Sequence, residues 1–241
     1  MSFSAVAEFY DSINGSAYAP YADFLIKTFE HAQIKVSEVL DLGCGTGGIC
    51  AILADKGFDM VGLDLSTDML MIAREKNLGK NTLLLCQDMR EFELYGTVQA
   101  VYSSFDCLNY ITDNKDLNQV FVLVHNYLEK GGVFVFDVNT LYRYTQILDG
   151  KSFVYEQGDN LAIWRSAFDE KEGLCQFEID VFSEISGGKY IRDGESQIQK
   201  LHTHEDIIAA AKGFDLVEVT GGKGFDGCTQ AEKAYYVFRK R

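Results

Sequence analysis

The chain has 241 residues, enough for one α/β domain with an insertion, and 47% of them are apolar, enough for a sizeable core. Its 36 acidic residues outnumber 22 basic ones for a net charge of −14, and no basic cluster exceeds Arg239-Lys240-Arg241, so broad nucleic-acid binding by phosphate neutralisation is disfavoured. No run of about 18 apolar residues exists to span a membrane, and the start, MSFSAVAEFYDS, lacks the basic-then-apolar order of a signal peptide.

The segment Ala7-Glu-Phe-Tyr-Asp-Ser-Ile13, followed by Tyr18 and Tyr21, comes first. Glu38 to Leu42 is a short apolar strand that runs into glycines. Ile49 to Lys56 is helical, with Gly57 as its stop. Met60 to Leu63 is a second strand ended by Asp64, and Ser66 caps a helix that runs to about Asn77. Thr82 to Cys86 and Ala100 to Ser104 are the third and fourth strands. Leu117 to Leu128 is a helix with Leu117, Val120, Phe121, Val124 and Leu128 on one face. Gly131-Gly132 is expected to end it, before a fifth strand over Val133 to Val138. Strands apolar on both parities, alternating with helices, predict a doubly wound, mostly parallel sheet.

After Thr140 the helical period disappears. Leu161 to Phe168, Leu174 to Ile185 and Lys189 to Leu201 are strand-like, separated by turn-rich Glu170-Lys-Glu-Gly173 and Ser186-Gly-Gly188. Residues 151–202 are therefore expected to be an antiparallel β meander inserted into an α/β unit made of 1–150 and 203–241. Thr203 then opens a helix, with Asp206 completing a near capping box. Phe214 to Val219 and Lys233 to Phe238 complete seven core strands, the last pair antiparallel because no helix separates them. The six cysteines, at 44, 50, 86, 107, 175 and 228, form no C-x-x-C; they read as reduced, mostly buried thiols of a cytoplasmic protein.

The stretch LDLGCGTGG, residues 40–48, admits two readings. Gly43, Gly45 and Gly48 fit a dinucleotide fingerprint, while Asp41, Gly43, Gly45 and Gly47 fit a loop that cradles a sulfonium amino acid. Both place a ligand at the carboxyl end of the first strand, where open parallel sheets bind. Four features favour the sulfonium. Asp41 would repel a pyrophosphate and attract an ammonium group. No Lys-Ser/Thr follows the loop, so there is no Walker pattern. The one Y-x-x-x-K, Tyr236 to Lys240, lies at the chain end, away from any dehydrogenase context. The C-terminal helix–hairpin differs from a second mononucleotide-binding half. An NAD-dependent oxidoreductase and a donor-binding protein without transferase activity stay open as alternatives.

The run V-L-D-L-G-C-G-T-G at 39–47 resembles motif I of class I S-adenosylmethionine-dependent methyltransferases. G-L-D-L-S at 62–66 and C-Q-D-M-R at 86–90 are similar to the segments ending that family's second and third strands. D-C-L-N-Y at 106–110 and F-D-V-N-T at 136–140 resemble a subgroup with an inserted sheet after strand five, whose Y-x-R-D-x-E stretch is matched by Tyr190, Arg192, Asp193 and Glu195. The chain departs from the family in opening its fourth strand with Val98-Gln99 instead of Phe-Asp. The resemblance implies a seven-stranded Rossmann-like fold and S-adenosyl-L-methionine as methyl donor. It implies that Asp88 accepts from the adenine amino group, that Met89 offers a backbone N–H and an apolar face, and that Ser103 and Ser104 edge the donor site.

It also implies that the N-terminal segment folds over the donor as a lid, where Tyr10 and Tyr18 could face the sulfonium. Asp64, 21 residues after Gly43, is placed to accept from two ribose hydroxyls, with a first-turn acid beside Ser66 as the plainer alternative. Cys44 and Leu65 fall in the same donor-contact set. The insertion is expected to wall an acceptor pocket, with Trp164, Arg165, Tyr190 and Arg192 as candidate contacts, or to build a dimer interface. His202 and His204 form H-x-H but lack a third ligand, so no metal is expected. No general base can be assigned. An acidic protein suits a small-molecule acceptor, and both a monomer and a homodimer fit.

Overall fold

The structure is a computed structural model that describes residues 6–221 and 230–241; Cys228 lies outside them. The element order is α1 (Ala7–Glu30), β1 (Glu38–Leu42), α2 (Gly48–Asp55), β2 (Asp59–Asp64), α3 (Thr67–Lys76), β3 (Thr82–Cys86), β4 (Val98–Ser103), α4 (Asn114–Tyr127) and β5 (Leu128–Asn139). Then follow β6 (Ser152–Gln157), β7 (Asn160–Asp169), β8 (Leu174–Ser186), β9 (Lys189–Lys200), α5 (His204–Ala210), β10 (Phe214–Thr220) and β11 (Lys233–Lys240).

Seven strands form one sheet in the order β10-β11-β5-β4-β1-β2-β3, with β11 antiparallel to both neighbours and the other pairs parallel. From β1 the chain winds outward to β3, then crosses to β4 on the other side. The carboxyl ends of β1 and β4 therefore flank a crevice, where neither connection covers the sheet edge. Both faces are covered, which explains strands buried on both parities. Leu117, Val120, Phe121 and Val124 of α4 pack on one face with Ile207 and Phe214, at about 1.5–3 kcal/mol per buried side chain. Tyr21, Leu25 and Phe29 of α1 pack on the other with Ile49 and Leu53.

The meander forms a separate antiparallel sheet, β6-β7-β8-β9. Its first strand, β6, was not legible, because Ser152–Gln157 alternates around residues left half-buried or exposed at a sheet edge. The inner face carries Ala162, Cys175, Phe177, Ile179 and Val181, and these meet Phe9 of α1 and Val6 just before it. One helix thus serves two cores: its first turns pack on the meander and its later turns on the main sheet.

Several expectations need correcting. Gly131-Gly132 does not end a helix; α4 stops at Tyr127, and both glycines lie inside β5, where the register against β4 shifts. Gly131 takes φ +83 there, and a side chain on Gly132 would strike the Gln99 carbonyl. Cys86 is exposed, not buried, because β3 is the sheet edge. The Thr203–Asp206 capping box forms reciprocally, with Thr203 Oγ1 accepting from the Asp206 N–H at 3.1 Å. Gln99, the departure at the fourth strand, sits at the amino end of β4. It accepts from the Ser37 and Glu38 N–H groups and donates to Glu129, far from the crevice.

Candidate active site

The glycine loop is held from below and pressed from the side. Gly43, Gly45 and Gly47 all take positive φ, at +88, +52 and +68. The Gly43 and Cys44 N–H groups donate to the Leu63 carbonyl, which leashes the loop to β2. A Cβ on Gly43 would lie 2.1 Å from Cys107 Sγ, and one on Gly45 3.6 Å from the Tyr10 ring. At Gly43 there is no room for a side chain, whereas at Gly45 the contact is ordinary and the positive φ is what favours glycine.

Asp64 ends β2 at the same edge. Its Oδ2 accepts from the Gly45 N–H and its Oδ1 from the Ser66 N–H, both at 2.8 Å. Ser66, not Asp64, caps α3. The carboxylate therefore shapes the glycine loop and keeps lone pairs for a ligand. Burial raises its pKa against those two bonds. Asp41 lies deeper. It is fully buried behind the loop, and its Oδ2 accepts from Tyr102 O–H at 2.6 Å and Cys50 S–H at 3.2 Å. Its Oδ1 has no partner. Burial pushes its pKa up to about 7, with the nearby Asp64 charge adding to the effect.

A cavity of about 390 Å³ opens over these residues, within the range of small-molecule sites of roughly 300–1,000 Å³. Gly43, Gly45, Asp64, Leu65, Asp88 and Met89 line one half, and Tyr10 closes over it from α1. Asp88 is engaged by Arg90, whose guanidinium and N–H hold its pKa below the usual carboxylate range. The other half is lined by Tyr110, Asn139, Trp164, Phe177 and Gln199, with Asp106 and Cys107 between the halves.

Several sequence candidates fall elsewhere. Asp41, Cys44, Tyr18 and Ser103 do not line the cavity. Cys44 is buried beneath the loop, and Ser103 donates to the Leu42 carbonyl at 2.7 Å; its neighbour Ser104 faces the cavity instead. The Tyr18 O–H donates to Asp11 at 2.8 Å, and Thr46 of the glycine loop donates to the same carboxylate at 2.6 Å. Asp11, which sequence reasoning missed, thereby clasps α1 to the loop, with Lys76 as its counter-ion. The Tyr21 O–H donates to Asp137 at 2.9 Å.

Of the four insertion candidates only Trp164 reaches the cavity. Arg165, Tyr190 and Arg192 are on the outer face, where Arg165 and Arg192 pair with Asp180. Strand parity explains this: Trp164 pairs with inward Ile179, Arg165 with Glu178, Arg192 with Phe182 and Tyr190 with Glu184. His202 Nε2 bonds the Leu108 carbonyl and His204 Nδ1 meets the Tyr236 hydroxyl, so the pair serves the fold. Lys240 of the Y-x-x-x-K donates to the His125 and Leu128 carbonyls at the opposite end of the sheet.

Sequence reasoning also missed an ionic cluster at the crevice. Phe105 and Asp106 both take positive φ, at +56 and +55, which is unusual for side chains of this kind. Asp137 holds them there, accepting from the Phe105 N–H at 2.7 Å and the Asp106 N–H at 2.9 Å. Lys233 Nζ lies 2.6 Å from both Asp106 and Asp137. Burial opposes its charge, but the two carboxylates outweigh that and raise its pKa. D-C-L-N-Y and F-D-V-N-T were the only signals for Asp106 and Asp137; nothing in them pointed to Lys233.

A family model described as a methyltransferase domain matches residues 39–132. The Bacillus subtilis protein YqeM, named as a methyltransferase, is 31% identical over 245 residues, covering 100% of this chain and 98% of its own. The chain belongs to the class I S-adenosylmethionine-dependent methyltransferases. A Clostridium acetobutylicum S-adenosylmethionine-dependent methyltransferase has a solved structure with TM-score 0.85 and 27% identity over 97% of both chains. A Streptomyces venezuelae dTDP-3-amino-3,4,6-trideoxy-alpha-D-glucopyranose N,N-dimethyltransferase is 35% identical over 121 residues, 50% of each chain. The methyltransferase uses S-adenosylmethionine as donor, and its residues fit that molecule. Positive φ at its glycines lets the loop pass close under the cavity, and Asp64 on the cavity wall keeps lone pairs that suit ligand hydroxyls, while Asp41 stays buried behind the loop. No helix among the described residues is long and apolar enough to cross a membrane.

Proposed function

We propose that this methyltransferase acts in the cytoplasm on a small molecule, which enters the half of the cavity walled by the meander. The carrying observation is the make-up of that cavity's wall, which we read as two halves. Loop and strand-end residues of the main sheet line one half, and Phe153, Tyr155, Trp164 and Phe177 of the meander line the other. In this reading, residues 1–150 with 203–241 form the donor-binding unit, and 151–202 form an acceptor wall. The N-methyltransferase relative acting on an amino sugar supports a small acceptor. A cavity with aromatic walls and a net acidic surface also suits a small molecule better than a nucleic acid.

When bound, S-adenosylmethionine supplies a methyl group activated on a sulfonium. Asp64 holds the ribose hydroxyls, and its two backbone bonds keep Gly45 and Ser66 in position. Asp88 and Met89 hold the adenine end, and Leu65 lies against it. Tyr10, closing over the glycine loop, shields the reacting carbon from water. Burial raises the Tyr10 pKa well above its ordinary value, so it stays a neutral hydroxyl at physiological pH. These residues align and desolvate, which is the main requirement of an in-line displacement with a good leaving group.

The test is S-adenosylhomocysteine release against a panel of amines, hydroxylated aromatics and amino-sugar nucleotides. Trp164→Ala is expected to raise the acceptor KM at least tenfold and leave S-adenosylhomocysteine affinity within twofold. Unchanged KM with the accepted molecule would remove the meander from acceptor binding.

A further inference from the structure

One chain of hydrogen bonds leaves a single buried acceptor atom without a donor, on a residue of the cavity wall. It starts at the ion pair. Asp106, paired with Lys233, is a carboxylate and can only accept. Gln199 on β9 reaches it at 2.6 Å, so the Gln199 group pointing at Asp106 Oδ2 must be its Nε2 amide. The Gln199 carbonyl Oε1 then points the other way. There it accepts from Tyr144 O–H at 3.1 Å and from Asn139 Nδ2 at 3.0 Å. With its amide nitrogen committed to Gln199, Asn139 is left with Oδ1, which is buried and has no donor. Flipping either amide would set two acceptors against each other, so the orientation is fixed by charge. The Asn139 backbone is fixed as well, since its N–H donates to Asn109 Oδ1 at 2.9 Å.

Asn139 is only 2% exposed, yet it lines the cavity. A buried carbonyl without a partner is costly, and native proteins rarely leave one without a reason. Two other residues of the cavity wall carry orphans of the opposite kind, the Trp164 indole Nε1 and the Arg143 Nε, donors with no acceptor. The surrounding walls are Leu148, Phe153, Tyr155 and Phe177.

We propose that Asn139 Oδ1 is the specificity-determining contact for the methyl acceptor and takes a hydrogen bond from an N–H or O–H on it. The acceptor is then a molecule with an apolar body the size of an aromatic ring. It carries a hydrogen-bond donor for Asn139 and an oxygen or nitrogen lone pair for the Trp164 indole. A molecule with the donor blocked strands the Asn139 carbonyl and is rejected. This rests on assigning the meander half of the cavity to the acceptor.

Trp164 is the only tryptophan in the chain, so its fluorescence reports on this half of the cavity directly. The probes are benzyl alcohol, which donates and accepts, and benzyl methyl ether, which only accepts. Each is titrated into protein saturated with S-adenosylhomocysteine, for the wild type and for Asn139→Leu. The ratio of alcohol to ether affinity is expected to fall roughly threefold to tenfold in the variant, the size of one net hydrogen bond. Asn139→Ala replaces it if the leucine variant does not fold, since Gln199 Oε1 keeps the Tyr144 O–H. An unchanged ratio overturns the proposal, as does a wild type in which neither probe alters the fluorescence. Calorimetry with S-adenosylhomocysteine keeps the two readings apart. Failure of the wild type to bind it sinks the donor-site assignment, whereas normal binding with an unchanged ratio sinks only the role of Asn139.

Discussion

Asp41→Asn isolates the most unusual charge in the fold. Asp41 is fully buried, its carboxyl is pushed from an ordinary 3.8 up to about 7, and burial is the main cause. Between those two values the folded protein binds more protons than the unfolded chain. Wild-type stability therefore falls as pH rises through that window, by roughly 4 kcal/mol in total at about 1.36 kcal/mol per pH step. Asparagine does not titrate. Its Oδ1 can still accept from Tyr102 and Cys50, which both address one carboxylate oxygen. Its Nδ2 takes the place of the unpartnered Oδ1, at a cost that does not vary with pH. The informative quantity is thus the change with pH of the stability difference between variant and wild type. From pH 5.5 to pH 8 that difference should shift by about 2 kcal/mol in favour of the variant. Urea unfolding of both proteins at the two pH values measures it, because titrating groups not coupled to Asp41 cancel in the difference. A shift near zero, or one favouring the wild type, would refute the argument that burial suppresses this charge. If the donor's ammonium matches the charge, S-adenosylhomocysteine should raise the wild-type midpoint more at pH 8 than at pH 5.5, a difference absent from the variant.

Asp64→Ala should weaken S-adenosylhomocysteine binding by about 1.5–3 kcal/mol in calorimetry, the range for hydrogen bonds to a charged group, and wild-type affinity would return Asp64 to a loop-shaping role alone. Gly43→Ala meets both Cys107 Sγ at 2.1 Å and a backbone at φ +88, so it should cost more than about 1 kcal/mol in urea unfolding. Adding Cys107→Ala should recover part of that loss; no recovery would locate the whole effect in φ. Lys233→Met strips the counter-ion from Asp106 and Asp137 and should destabilise by about 3–5 kcal/mol, read from the denaturation midpoint. A loss below about 1 kcal/mol would mean that Tyr21 and the two backbone donors suffice for Asp137.

The sequence by itself determined the donor half of the protein. Its apolar runs, the glycines and the acids at strand ends are local patterns, and a parallel sheet with helices on both faces has few ways to arrange them. Asp64, Asp88 and Met89 reach the cavity because each lies at or just past the end of its strand, so position along the chain is position in space. The acceptor half is built differently. Asn139, Gln199, Asp106 and Lys233 come from four separate stretches of chain, and only the packing of β9 from the second sheet against the ends of the first brings them within hydrogen-bond distance. Alternation in β7 fixed that Trp164 and Arg165 face opposite ways, but not which way is inward. That was decided by the start of α1, where Phe9 and the preceding Val6 cover the face shared by Trp164 and Phe177. For the same reason the meander is not an appendage independent of the donor site, because it supports the helix that carries Tyr10. Asp41 shows the limit most clearly. Its place before the glycines marked the loop, but burial behind that loop, with one oxygen unpartnered, is set by Tyr102 and Cys50 from other elements. A carboxylate's charge depends on the dielectric around it, and packing creates that dielectric only once distant strands and helices have closed over the group.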